Sequence, residues 1–409
     1  MRFPKVPVPP GCVALLFLMQ ISGVLFAQNN PPASPLALKD GDRVVFLGSS
    51  IFENDFQYGY LETMLTTRFA DKGVTFRNLG WTGDNVWGEA RSTYTNPPTP
   101  YEHLMEDLTK SQPTVVLLGY GGVEAQDGQA GVAHFKEGLN KLIDKIDQLG
   151  AKTILLSTIP VVSSDTAQRI NQRNADLQLY SKAIAEVSAQ RSKTFIDIYA
   201  PIEKFSKNED IIENTVHLNE RGYFHLAKLL ESAFGKSTAP ATTTITVGKG
   251  EAQASNSRAL PSADNDAIVT FETKDNYLPL PAPANSDVSD AARTIVVVGL
   301  KKGFYALMAG NEQVASGSAK EWAKGIVIRQ GPQFEQTRQI REMILRKNEL
   351  HFFQYRPLNQ TYIIGFRKYE QGRHVKGLEE QNILIKWLEG QIILHSEAKE
   401  VVYELKKLE

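Results

Sequence analysis

Thiols are nearly missing from this sequence. Its 409 residues hold a single cysteine, Cys12, at the front of an apolar N-terminal run. Arg2 and Lys5 precede that run, Cys12–Ala27, and the small Ala27 closes it before the polar stretch QNNPPASP. A basic start, a short apolar core and a small residue form the pattern of an export signal, so cleavage after Ala27 and a periplasmic or extracellular location are expected. The alternative is a retained anchor. The mature chain then has no cysteine at all, which excludes disulfides and thiolate metal sites. An excess of either charge is missing too: 45 Lys and Arg stand against 46 Asp and Glu, for a net charge of −1. That balance gives no footprint for nucleic acid or for an anionic membrane. No internal repeat is visible, and no glycine-rich loop leads into a Lys-Ser/Thr pair that would cradle phosphate.

What is present is an ordinary globular composition, 42% hydrophobic and 22% charged, at a length that suggests two or three domains. From Leu36 to about Gly235, short β-branched runs alternate with amphipathic stretches. The strand candidates are Arg43–Leu47, Val74–Asn78, Thr114–Leu118, Thr153–Ser157 and Thr194–Asp197. Phe135–Leu149 and Asn174–Ala189 have helical spacing. Such alternation predicts a parallel sheet covered by helices, with its chemistry at the carboxyl ends of the strands. Composition shifts at Lys236–Thr244 and at the Pro- and Ala-rich Tyr277–Ser289. Strand-like pieces at Thr243–Val247, Ala267–Thr273, Arg293–Val298, Gly303–Met308 and Gly325–Arg329 predict a small antiparallel β module over about 240–330. Residues 333–409 read as helical.

Four blocks fall at strand ends or before a helix: Gly48-Ser49-Ser50-Ile51, Asn78-Leu79-Gly80-Trp81-Thr82-Gly83-Asp84, Tyr120-Gly121-Gly122-Val123-Glu124, and Glu213-Asn214-Thr215-Val216-His217-Leu218. Each alone has an unremarkable reading as a turn, a cap or a structural histidine. Together they supply a hydroxyl nucleophile, a base and backbone N–H donors, the parts of acyl transfer.

In order and spacing these blocks resemble the SGNH (GDSL-like) hydrolase superfamily over roughly residues 40–235. The resemblance implies a flavodoxin-like three-layer α/β/α sandwich and hydrolysis of esters or thioesters of lipids, acyl groups and acetylated sugars. It implies Ser50 as nucleophile, N–H groups of Ser50 and Gly83 at the oxyanion, and His217 as general base with Asn214 as its partner. Val123 stands where the family has an oxyanion asparagine; losing one such donor costs roughly 10²–10³ in turnover. Asn214 stands where the family has an acid, and an amide in that role has cost about 10⁴ in a serine triad. Glu213, one residue away, is an alternative orienting group, as is a backbone carbonyl. More narrowly, RNLGWTGDNVWGEA and KNELHFFQYRPLNQTYIIGFRKYEQG resemble exported proteins of planctomycete-like bacteria in which such a domain precedes a β module and a helical tail.

The expectation is therefore an exported carboxylic ester hydrolase acting on a small-molecule or carbohydrate ester. It needs neither metal nor organic cofactor, binds no nucleic acid and has no stable membrane insertion once the signal is removed. The competing expectation is a degenerate site that binds polysaccharide or a protein partner without turnover. A weaker third reading makes the β module and tail an assembly interface. His103, His134 and His225 lack ligand-spaced partners and read as solvated or capping residues. Asp165 and Asp176 have no support as a carboxylate pair. Arg356-Pro357, Arg367 and Arg373, among Phe352, Phe353, Tyr355, Tyr362 and Phe366, read as a packed amphipathic segment rather than a carbohydrate or anion surface.

Overall fold

The computed structural model describes residues 36–408 except positions 94–95, 163–166, 237–240, 249–252, 256, 261–266, 287, 359, 365–366 and 371–372. The expected leader, Cys12 included, lies outside them, as do Asp165 and Phe366. Leu36–Glu409 packs as one compact unit, so the divisions expected near 235–240 and 330 mark changes of architecture within it.

The first part contains β1 (Arg43–Gly48), α1 (Ser50–Glu53), α2 (Tyr60–Arg68), β2 (Thr75–Asn78), α3 (Pro100–Lys110), β3 (Val115–Gly119), α4 (Gly128–Gln148), β4 (Lys152–Leu156), α5 (Ala167–Gln190), β5 (Thr194–Ile196), α6 (Tyr199–Ser206), β6 (Ile212–Glu213), β7 (His217–Leu218) and α7 (Glu220–Ala233). The five long strands form one parallel sheet in the order β2-β1-β3-β4-β5. The α/β/α architecture expected from the sequence is thus present.

Strand alternation sorts the side chains into two cores. Val44, Phe46, Val115, Leu117, Ile154 and Leu156 face α2 and α7. Val45, Leu47, Val116, Leu118 and Leu155 face α3, α4 and α5. Val44–Leu47 are essentially inaccessible, and burying each such side chain is worth about 1.5–3 kcal/mol. The order reverses between β1 and β3, and in open α/β sheets ligands bind at such a switch point. There Gly48 sits opposite Gly119; a Cβ at Gly48 would come within 2.5 Å of the Gly119 carbonyl oxygen, so no larger residue fits.

The β-rich part contains β8 (Ala241–Thr246), β9 (Gln253–Ser255), β10 (Arg258–Leu260), β11 (Ala267–Thr273), β12 (Arg293–Val298), β13 (Phe304–Ala309), β14 (Glu312–Ser318), α8 (Ala319–Lys324) and β15 (Ile326–Ile328). Then come α9 (Pro332–Tyr355), α10 (Gln360–Ile363), α11 (Arg373–His395) and β16 (Val401–Leu408). Sheets β10-β11-β16-β13-β14 and β15-β12-β8-β9 enclose one core around Trp322, Phe271 and Tyr403.

Two expectations are corrected here. The module is not wholly antiparallel, because β8 and β12 pair in parallel. The helical reading of 333–409 holds for α9 to α11 but fails at 401–408. There Val401, Tyr403 and Leu405 alternate inward, and β16 inserts between β11 and β13. A period of two, not 3.6, governs those residues.

The Pro-rich stretch after β11 is packed rather than loose: Leu278 and Leu280 are fully buried. Arg68 of α2 donates to the Leu278 carbonyl and pairs with Glu231 and Asp290. Helix α9 lies against α2, where Lys347 pairs with Glu62 at 2.5 Å in the interior.

Candidate active site

A single cavity of about 210 Å³ gathers residues from all four sequence blocks. Ser49, Ser50, Gly83, Val123 and His217 line it, together with Arg173 of α5.

Ser50 opens α1 directly after β1, with Ser49 in the capping position. The Ser49 N–H donates to Gly119 O at 3.2 Å, locking the turn onto β3. The Tyr223 hydroxyl of α7 donates to Ile51 O at 2.9 Å from below. Gly83 adopts φ +81°, a left-handed conformation that glycine takes without steric cost. Among the described residues, the N–H groups of Ser50 and Gly83 have no hydrogen-bond partner, and both residues border the cavity.

The loop carrying Gly83 is braced from several sides. The Asn78 amide donates to Phe52 O at 2.8 Å and its Oδ1 accepts from the Gly80 N–H at 2.8 Å. Arg91 is fully buried; its guanidinium donates to Asp84 at 2.8 Å, to Asp107 at 3.1 Å and to Leu79 O at 2.9 Å. The Tyr120 hydroxyl donates to Asp84 at 3.0 Å, tying the second block to the third. Glu53 of α1 accepts from the Thr82 N–H and pairs with Arg356 at 2.9 Å. Tyr355 donates to Gly80 O at 2.9 Å, and Arg356 lies 4.3 Å over the Trp81 ring.

The third block provides no side-chain donor at Val123, but Glu124 beside it has a structural task. Its buried carboxyl accepts from the Val86 N–H at 2.9 Å and the Gly121 N–H at 2.8 Å. Burial pushes its pKa up to about 7, against the pull of those backbone donors.

His217 reaches the cavity on a hairpin of two-residue strands, β6 and β7. Its turn holds Asn214 at φ +49° and Thr215 at φ +67°, and the β-branched Thr215 is strained there. Asn214 is exposed at the turn. Glu213 is the residue directly opposite His217 in the ladder, and such partners put their side chains on one face of the sheet. Burial first, then the charges of Asp55, Tyr58 and Glu213, raises the Tyr223 hydroxyl. Among the described residues, the His217 ring hydrogen-bonds to none of Ser50, Glu213 and Asn214.

The remaining candidates are structural. His103 is buried against Arg91 O at 3.0 Å and lies 3.5 Å from Asp107. His225 is buried between Glu209 at 2.9 Å and the Phe205 ring. The solvated or capping reading therefore fails for both, because buried rings with polar partners hold helices together. His134 is exposed and stacks on Trp87. Asp176 accepts from Gln172 on its own helix. Arg356 and Tyr355 pack as expected, and Arg367 pairs with Glu370; the side chain of Arg373 lies outside the described residues. Among the described residues, no group of three His, Cys, Asp or Glu is placed to hold a metal ion.

Sequence reasoning missed Arg91 and Arg173, and it named Glu124 without giving it a role. Arg91 reaches Asp107 on another element, Glu124 reaches Val86 in another loop, and Arg173 lies in a helix without a motif.

Residues 46–224 match the model of the GDSL-like Lipase/Acylhydrolase family. Its structure is similar to that of a gut microbial diltiazem-metabolizing enzyme, with a TM-score of 0.68 at 17% identity, over 92% of this chain and 100% of that one. That likeness extends through the β-rich and helical parts and concerns the fold. An acetylxylan esterase from Geobacillus stearothermophilus (TM-score 0.39, 15% identity) covers 49% of this chain and 96% of its own. An acetyl xylan esterase, AlAXEase, gives a TM-score of 0.37 at 19% identity, over 47% of this chain and 98% of its own. No curated protein matches the sequence.

Proposed function

We propose that the chain is an exported serine hydrolase of carboxylic esters, acting on acetyl or short acyl groups carried by a small molecule or carbohydrate. The observation that carries the reading is the convergence of Ser50, Gly83 and His217, from three separate loops, on one small cavity with two unpaired backbone N–H groups. Ser50 Oγ attacks the acyl carbonyl while His217 accepts its proton. The N–H groups of Ser50 and Gly83 stabilise the oxyanion. The alcohol leaves with the proton from His217, and water, deprotonated by the same ring, releases the acid. Glu213 orients the ring in this scheme, because it is the carboxylate facing His217 across the hairpin. A cavity of about 210 Å³ suits a short acyl group. The exported location follows from the N-terminal pattern Arg2 to Ala27, and no described helix is long and apolar enough to cross a membrane.

A second reading, a binding protein without turnover, is favoured by Val123, which brings no side-chain donor to the oxyanion side. Hydrolysis of para-nitrophenyl acetate between about pH 6 and 9 separates the two. The wild type is expected to exceed the buffer rate, and Ser50→Ala to lose roughly 10³-fold or more. Equal rates for both proteins and buffer sink the hydrolase reading.

A further inference from the structure

The cavity that holds Ser50 and His217 carries a charge that ester hydrolysis does not require. Its described lining contains no aspartate or glutamate, and Arg173 is its one permanently charged side chain. The guanidinium is held by a single hydrogen bond, Nη2 donating to Gly122 O at 2.9 Å. Its other N–H groups have no described partner.

The buried arginines of the chain are paired with acids, whereas Arg173 is half-buried. Arg68 pairs with Glu231 and Asp290, Arg91 with Asp84 and Asp107, and Arg293 with Asp275. Arg173 forms no ion pair among the described residues. The acid that acts on it, Asp176, turns its carboxylate to Gln172 at 3.2 Å. Partial burial lowers the Arg173 pKa, and Asp176 offsets this only in part. Partial removal of a cation from water carries some cost, which an anionic ligand would offset. A guanidinium fork also matches a carboxylate with two parallel hydrogen bonds.

We propose that Arg173 docks a carboxylate of the substrate, so that the preferred esters carry an acid group near the scissile bond, as an O-acylated sugar acid does. This rests on the ester-hydrolase reading of Ser50 and His217. Arg173 is then the residue that sets specificity, and Gly122 O is what holds its fork against the cavity wall.

The test compares para-nitrophenyl acetate, which is neutral, with para-acetoxybenzoate and para-nitrophenyl hemisuccinate. These carry a carboxylate on the alcohol and on the acyl side respectively. In Arg173→Gln the preference for an anionic over the neutral ester, as a ratio of kcat/KM, should fall roughly 10- to 100-fold, mainly through KM. Arg173→Lys keeps the charge without the fork and should lose less; it also serves if Arg173→Gln does not fold. An unchanged ratio overturns the proposal. So does an equal fall in kcat for neutral and anionic esters, which would make Arg173 a donor to the oxyanion. Binding of D-glucuronate against methyl glucoside, followed by ligand-observed NMR, keeps the two readings apart. If no ester is hydrolysed but glucuronate binds through Arg173, the carboxylate site stands and the hydrolase reading falls. If glucuronate shows no Arg173-dependent binding either, both fall.

Discussion

Around Ser50 and Gly83 the backbone is tied down by Asn78, Arg91, Glu53 and Tyr355, whereas His217 rides on a hairpin of two-residue strands with a strained turn. Both sides face the same cavity. The oxyanion side must point fixed dipoles at a charge that appears only in the transition state, and preorganised donors are worth most there. In the proposed reaction the base has to sample positions: it would take a proton from Ser50, give it to the leaving alcohol, and repeat the exchange with water. The rigid half is also held by residues far away in sequence. Tyr355 and Arg356, at the end of α9, clamp the loop that carries Gly83, so the helical region beyond residues 46–224 helps to shape the cavity.

Four substitutions would break or sharpen this contrast. The largest effect is expected on the hairpin side. Glu213→Gln should lower kcat/KM by up to about 10⁴, the loss found when the acid orienting a serine-triad imidazole becomes an amide. Asn214→Ala, at the exposed turn, should change it far less. If the order is reversed, Asn214 and not Glu213 orients the ring. On the braced side, Arg91→Met strands Asp84 and Asp107 in the interior, and should cost about 3–5 kcal/mol in chemical denaturation. A loss below about 1 kcal/mol would mean that the network is not what holds the loop.

The smallest effect is a pH slope. Folding raises the Glu124 pKa from its ordinary 4.5 to about 7, so the unfolded chain releases this proton before the folded one does. The stability from this group is present below pH 4.5 and declines as pH rises to about 7. Melting temperatures measured across that window should fall less steeply with pH for Glu124→Gln than for the wild type. Parallel slopes would show that Glu124 titrates normally.

That Ser50, Gly83, Val123 and His217 would meet at one cavity was legible, because each belongs to a short local pattern at a strand end or before a helix. Ser50 after β1, the glycines after β2 and β3, and His217 before α7 needed only strand periodicity and the rule that ligands bind at the carboxyl ends of parallel strands to be grouped. The choice between Glu213 and Asn214 was not legible, since a shift of one residue in the hairpin register exchanges which of them faces the ring. The bracing was hidden for another reason: Tyr355 meets Gly80 across 275 residues of sequence, and no local pattern encodes such a pairing. Strand β16 was missed because VVYELKKL follows a helix and mixes Glu and Lys into its outward positions, so its alternation of Val401, Tyr403 and Leu405 is easily taken for more helix.

That strand also bears on how the protein is made. β16 lies between β11 and β13, yet it follows both of them, and the α9 and α11 helices, in the sequence. The sheet therefore has a gap at its middle until residues 401–408 emerge, and during synthesis β11 and β13 present open edges on either side of it. Pairings at such long sequence separation form slowly. The β-rich part is bound to be a late folder, exposed to misassociation for longer than the α/β part that precedes it.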